Sequence, residues 1–148
     1  MAQRGSGYER QPDELYETPR WVAAVIGQWL REAGVRSVWE PAPGSGRFAG
    51  YLRDEGCEVT TTAGDFFSIE KIPKVEAIVT NPPYGERLDA PDALYRDMAQ
   101  AFARLHGWRV AVLAGAAAIE RAMRRRADKA LAVWNGDIEC RLLLYDVP

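Results

Sequence analysis

The segment Glu76-Ala77-Ile78-Val79-Thr80-Asn81-Pro82-Pro83-Tyr84 constrains the fold more than any other part of the chain. After Glu76 the run Ala77-Ile78-Val79-Thr80 is apolar and β-branched, and Glu76–Thr80 predicts a short buried strand. Two prolines then end that strand, because neither can donate to a ladder. Further strands are predicted at Ser37–Glu40 and Arg109–Leu113, which read as buried, and at Glu58–Thr62, which is rich in β-branched residues. Helical patterns alternate with them. Thr18 is placed as an N-cap and Pro19 as the first helical residue. Val22, Val25, Ile26, Trp29 and Leu30 follow at helical spacing, and Gly34 ends that helix. Phe48–Asp54 is a second helix. Asp92 caps a third, whose Leu94, Met98, Phe102 and Leu105 share a face, and Ile119–Lys129 is a fourth with an arginine-rich outer side. Ala130–Trp134 and Ile138–Asp146 flank Asn135-Gly136, a hairpin signal.

This order predicts an α/β layered sheet, mostly parallel, with helices on both faces and one antiparallel strand from the closing hairpin. With 148 residues there is room for one domain. Residues 1–15 read as a flexible arm and 16–148 as that single domain. The net charge of −2 excludes a basic protein that coats nucleic acid non-specifically, though not a local basic patch. Two cysteines are too few for a disulfide framework, and one histidine, His106, argues against zinc. The N-terminus has no apolar signal segment. The longest apolar run, Val110–Ile119, is far shorter than the roughly 20 residues of a membrane helix. A cytoplasmic protein is expected.

Two strand ends carry the chemistry. Glu40-Pro41-Ala42-Pro43-Gly44-Ser45-Gly46 follows the first strand. Its glycines let backbone approach a ligand, and its carboxylate can accept from a ligand amine or hydroxyl. A Gly-x-Gly turn also occurs as a plain tight loop, so it is indecisive by itself. In doubly wound sheets, ligands bind beyond the carboxyl ends of the strands. At the second strand end, the Asn81 side-chain oxygen and the Pro82 carbonyl make two acceptors suited to a planar –NH₂ group. Pro83 stiffens the turn. Tyr84 offers a stacking face.

These residues together resemble the S-adenosylmethionine-dependent methyltransferases that modify exocyclic amino groups of bases. Glu17-Thr18-Pro19 is similar to the N-terminal motif of the adenine-N6 branch. Val38–Ala42, Gly44-Ser45-Gly46 and Phe48 are similar to its cofactor loop, and Gly64-Asp65-Phe66-Phe67 to the segment preceding its Asn-Pro-Pro-Tyr. The second half leans elsewhere. Asn81–Leu88, Arg126–Lys129, Asn135-Gly136 and Ile138–Cys140 resemble guanine-N2 methyltransferases of ribosomal and transfer RNA, without the THUMP domain those enzymes carry. The resemblance implies a class I, Rossmann-like methyltransferase fold over residues 16–148, S-adenosylmethionine as cofactor, and catalysis by Asn81, Pro82, Pro83 and Tyr84. It implies cofactor contacts from Thr18, Pro19, Glu40, Pro41, Gly44, Gly46, Asp65 and Phe66.

One departure stands out. Related enzymes place an acid at the end of the second strand, where this chain has Thr60-Thr61-Thr62. The stretch from there to Glu76 is also short for a further helix and strand, so either one βα unit is lost or Asp65 serves the ribose. Nucleic-acid contacts are expected from Arg87, beside the catalytic loop, and from Arg124 and Arg125 in a basic run that is otherwise a solvated face. The tryptophans read as core, with Trp21 the one to test for stacking. The resulting expectation is methylation of a nucleic-acid base, DNA or RNA, with adenine N6 slightly ahead and guanine N2 in RNA as the alternative. A non-catalytic binding subunit and methylation of a protein glutamine amide stand behind them. Specificity would come from loops, a homodimer mate or a separate subunit.

Overall fold

The protein was analysed as a computed structural model, which describes residues 18–41, 45–62, 71–81, 91–114, 117–135 and 138–148. Helix α1 (Arg20–Glu32) leads into strand β1 (Ser37–Glu40), helix α2 (Arg47–Asp54) and strand β2 (Glu58–Thr61). Strand β3 (Ala77–Thr80), helix α3 (Pro91–Ala103), strand β4 (Arg109–Ala114) and helix α4 (Ala117–Met123) follow. Strands β5 (Lys129–Asn135) and β6 (Ile138–Asp146) close the order. Among the described residues, nothing helical or extended lies between β2 and β3.

The six strands form one sheet in the order β2-β1-β3-β4-β6-β5. Strands β2, β1, β3 and β4 run parallel, and β6 is antiparallel to both of its neighbours. The chain leaves β1 toward β2 and then crosses to β3 on the other side. The carboxyl ends of β1 and β3 therefore flank the point where the winding reverses, the usual place for a ligand in such a sheet.

Strand residues alternate between two cores, as a period of two demands. Val38, Ala77, Val79, Ala111, Leu113, Leu142 and Leu144 pack with Val22, Ile26 and Leu30 of α1 and Leu52 near the end of α2. Trp39, Ile78, Val110, Val112, Leu143 and Tyr145 pack on the other face with Tyr95, Met98 and Phe102 of α3 and Ile119 of α4. Apart from the two alanines, burying side chains of this size contributes roughly 1.5–3 kcal/mol each. The helices thus cover both faces, as the alternating pattern predicts.

Several local expectations need correction. Pro19, not Thr18, occupies the N-cap of α1, and no side chain caps that end. Helix α3 begins at Pro91, one residue before the Asp92 expected to cap it. The helix expected over Ile119–Lys129 stops at Met123, because Arg124 takes a left-handed φ of 57° and Lys129 already belongs to β5. Asp128 holds this turn. Its carboxylate accepts from the Asp146 amide at 2.6 Å and from Arg125 at 3.3 Å. Trp21 and Trp134 are exposed rather than core. Gly34 does end α1 at φ 74°, with its amide bonded to the Arg31 carbonyl at 3.0 Å. Cys57 and Cys140 are buried free thiols, and burial pushes the Cys57 thiol up. Among the described residues, no helix is long and apolar enough to cross a membrane.

Candidate functional site

Water hydrates a polar side chain better than an apolar interior does, so buried polar residues ask for an explanation. Among the described residues three are buried: Thr18, Glu40 and Thr80. All three lie at the carboxyl end of the parallel strands. Glu40 is the last residue of β1 and Thr80 the last of β3, while Thr18 stands just before α1. Strands β1 and β3 are hydrogen-bonded neighbours, with Val38 opposite Ala77 and Trp39 opposite Ile78. The register brings the end of β1 beside the end of β3.

Half-buried Asn81 follows Thr80 directly, and its Nδ2 donates to the Thr18 hydroxyl at 3.0 Å. The hydroxyl that the sequence assigns to a helix cap is thus used across the fold, to hold a carboxamide 63 positions away. A carboxamide has a donor side and an acceptor side, so this bond sets which way round it sits. No sequence pattern announces a bond of that kind, because its two residues meet only through the sheet.

On the β1 side, Gly46 begins α2 with φ 85°, in the left-handed region where glycine is favoured. A Cβ built there would meet no atom within 4 Å, so the backbone borders open space. The Ser45 hydroxyl accepts from the Arg47 amide at 3.3 Å. Pro41 lies at the start of the same loop. Its carbonyl accepts from the Thr62 hydroxyl at 3.4 Å, and that hydroxyl in turn accepts from Trp39 Nε1 at 3.1 Å. Thr62, one of the residues standing in place of an acid, therefore ties the end of β2 to the loop after β1.

The structure brings Thr18, Pro19, Glu40, Pro41, Gly46 and Asn81 to one end of the sheet. Gly44, Asp65, Phe66, Pro82, Pro83, Tyr84 and Arg87 lie outside the described residues. Arg124 is exposed past the end of α4. Arg125 is committed locally: it donates to the Asp146 carbonyl at 2.9 Å, pairs with Asp128 and lies 5.6 Å from the Tyr145 ring centre. His106 contacts the Pro148 oxygen through Nδ1 at 2.8 Å.

The chain is similar to known proteins in both sequence and fold. A ribosomal RNA large subunit methyltransferase K/L from Syntrophotalea carbinolica is 34 % identical over 132 residues, covering 83 % of this chain and 17 % of the relative. A second, from Aeromonas salmonicida, is 37 % identical over 84 residues, covering 54 % of this chain and 12 % of the relative. The chain thus spans 17 % or less of the length of these curated relatives. Among solved structures, human methyltransferase 10 domain containing protein superposes with a TM-score of 0.58 at 11 % identity, covering 85 % of this chain and 82 % of the other. It supports the fold alone. The sequence profile of the RMKL-like methyltransferase domain (UPF0020) matches residues 54–143, more than half of the chain. By that match the chain, whose sheet winds in the order just described, belongs to the RMKL-like methyltransferase domain family.

Proposed function

We propose that the chain methylates an exocyclic amino group of an RNA base, with guanine N2 ahead of adenine N6. The observation that carries this reading is the gathering of Thr18, Glu40, Thr80 and Asn81 at the carboxyl ends of β1 and β3. The relatives named for ribosomal RNA support the substrate class. The likeness of Asn81–Leu88 and of the hairpin residues to guanine-N2 methyltransferases supports the base. This reverses the slight lean of the sequence toward adenine, because the resemblance to the K/L relatives runs over most of the chain. Adenine N6 stays as the second reading. Thr18, from the Thr-Pro motif similar to that of the adenine branch, holds the Asn81 carboxamide directly.

The residues at this end fit the methyl donor. Glu40 is a buried carboxylate suited to an amino group, and open space borders Gly46. Thr18, Pro19, Pro41, Gly44, Asp65 and Phe66 complete the proposed donor site. S-adenosylmethionine supplies a methyl group made electrophilic by its sulfonium sulfur.

The protein's part is to ready the nucleophile. An exocyclic amine on a base is weakly nucleophilic because its lone pair is delocalised into the ring. Accepting its two hydrogens at Asn81 Oδ1 and the Pro82 carbonyl favours a pyramidal nitrogen with a localised pair. Pro83 stiffens that turn and Tyr84 stacks on the ring, worth roughly 1–3 kcal/mol. Thr18 is a positioning residue in this scheme, since its bond to Nδ2 turns Oδ1 to the opposite side of the carboxamide.

The test is nucleoside mass spectrometry after incubation with S-adenosylmethionine and RNA or DNA carrying both bases. N2-methylguanosine in RNA is the expected product. N6-methyladenine instead establishes the second reading, and methylation of neither base overturns both. Calorimetry with the donor separates an enzyme from a non-catalytic subunit: micromolar binding abolished by Gly44→Trp supports the enzyme, and no binding at millimolar donor supports the subunit.

A further inference from the structure

Away from the strand ends just described, a hollow of about 300 Å³ opens on the α3/α4 face of the sheet. Helix α4, the turn after it and strand β6 converge there. Its charged lining is Arg121, Arg125, Arg126 and Arg141 against one carboxylate, Glu120, and Tyr145 forms part of its wall. Four guanidiniums in one concavity are conspicuous in a chain whose net charge is −2. A concave wall of one sign focuses its field, which attracts the opposite charge more strongly than the same residues spread over a flat face.

The pairing of these groups sharpens the point. Glu120 is engaged with Arg141 at 3.1 Å, and Asp128 with Arg125 at 3.3 Å. Among the described residues no ion pair or hydrogen bond engages the guanidinium of Arg121 or of Arg126. Both are exposed. Arg125 is braced between the Asp146 carbonyl, Asp128 and the Tyr145 ring, so its charge stands at a fixed place in the wall. Two positions are therefore pinned and two are open to a ligand. Three chain segments build this arrangement, since Arg141 comes from β6, which the arginine run of the sequence does not contain.

Its position is also informative. Arg141 sits opposite Ala114, the last residue of β4, at the carboxyl end of the parallel strands. Strand β4 is the direct neighbour of β3, which leads into Asn81. Two strand spacings, about 10 Å, separate β6 from β3.

We propose that this hollow is a preformed cradle for backbone phosphates of the RNA substrate, with Arg121 and Arg126 making the contacts while Arg125 and Arg141 hold the surrounding field. The inference rests on the reading of RNA as the partner. Guanidinium groups suit phosphate oxygens because they present paired donors in one plane. The contacts position a strand without reading its sequence.

The experiment is a titration of a fluorescently labelled single-stranded RNA oligonucleotide with the full chain, followed by anisotropy at several potassium chloride concentrations. Each phosphate contact on a single strand adds about −0.7 to the slope of log K against log salt. Arg121→Ala and Arg126→Ala should each make the slope shallower by about that amount, and the double variant by about twice it. Arg121→Lys and Arg126→Lys should keep most of the slope, because the charge stays. Arg36→Ala, on an exposed residue paired with Glu58 at 4.0 Å, should leave it unchanged. A double variant that stays folded by circular dichroism with an unaltered slope overturns the proposal. So does a wild-type chain that binds no RNA at low salt. Calorimetric binding of inorganic phosphate without any change of RNA slope in the variants makes the hollow a small-anion site, and overturns it too. No methyl donor is present in the titration, so the two readings fail separately. RNA held through the hollow by a chain that methylates no base leaves this inference standing, and a methylating chain with an indifferent slope removes this inference alone.

Discussion

The two ends of the sheet treat polar groups in opposite ways. At the amino end they are exposed and paired. The Glu76 carboxylate accepts from the Ser37 hydroxyl at 2.9 Å, Arg109 is ion-paired with Asp146, and Arg31 donates to the Glu55 carbonyl at 2.7 Å. At the carboxyl end, Thr18, Glu40 and Thr80 are buried. Exposed pairs close the structure cheaply and add little each. Buried polar groups carry a desolvation cost that nothing in a plain scaffold requires. The difference teaches that the paired amino end needs no ligand to account for it, whereas the buried polar groups of the carboxyl end agree with the donor and base site proposed there.

Mutations can break that division. Asn81→Ala should lower methyl transfer by about 10²–10³-fold, the usual loss for one aligned hydrogen-bonding group. Its unfolding free energy should change by only about 1 kcal/mol, for the lost bond to Thr18. Activity and urea unfolding measured on one preparation check this. A large loss of stability with it would merge the two ends into one role.

Tyr145, buried in the core on the α3/α4 face, should make stability depend on pH. Burial, and then the Glu120 carboxylate, push the Tyr145 hydroxyl up to about 12 from an ordinary value of 10. Its neutral form is the one the fold favours. Stability is therefore full below pH 10 and falls between pH 10 and 12, by roughly 2–3 kcal/mol in all. Tyr145→Phe should remove that part of the decline, read as the difference between the two proteins in denaturant unfolding across this window.

Smaller effects are expected where α1 meets the end of α2. A Cβ on Gly27 would stand 2.8 Å from Glu55 Cβ. Gly27→Ala gains about 1 kcal/mol of helix propensity but must part the two helices, so a net loss of about 1–2 kcal/mol is expected in urea midpoints. A gain would show that the contact yields freely. The mildest change is Glu76→Gln. Hydrogen bonds from Ser37 and from the Arg36 and Ser37 amides hold the Glu76 carboxyl below its ordinary range. That contribution is present above the ordinary carboxylate value and lost as pH falls through the lowered one. The melting temperatures of wild type and variant should differ slightly at pH 7 and converge in acid.

Much of this layout is legible in the amino-acid sequence, for local reasons. Strand β1 follows its expected bounds at Ser37–Glu40 because apolar and β-branched residues are enclosed by polar breaks. The hairpin is legible because Asn135 and Ile138 pair across two residues. The end of α4 is not, because no glycine or proline marks it. The break at Arg124 answers to Asp128 and Asp146, and Asp146 lies 22 positions further on. The role of Thr18 escapes for the same reason, since a threonine before a proline reads locally as a cap. The sequence points to Glu40 and Asn81 as chemistry, whereas their adjacency comes from the pairing of β1 with β3.

That hairpin has a bearing on how the chain assembles. Strands β5 and β6 meet across a two-residue connection, and an element of this kind closes in about 1–10 μs. Val38 reaches Ala77 only when about 40 residues of chain have been looped together, a slower event because the closure entropy comes first. The hairpin can therefore be the earliest element of the sheet to take shape, offering β4 a ready edge while the ends of β1 and β3 are still being gathered.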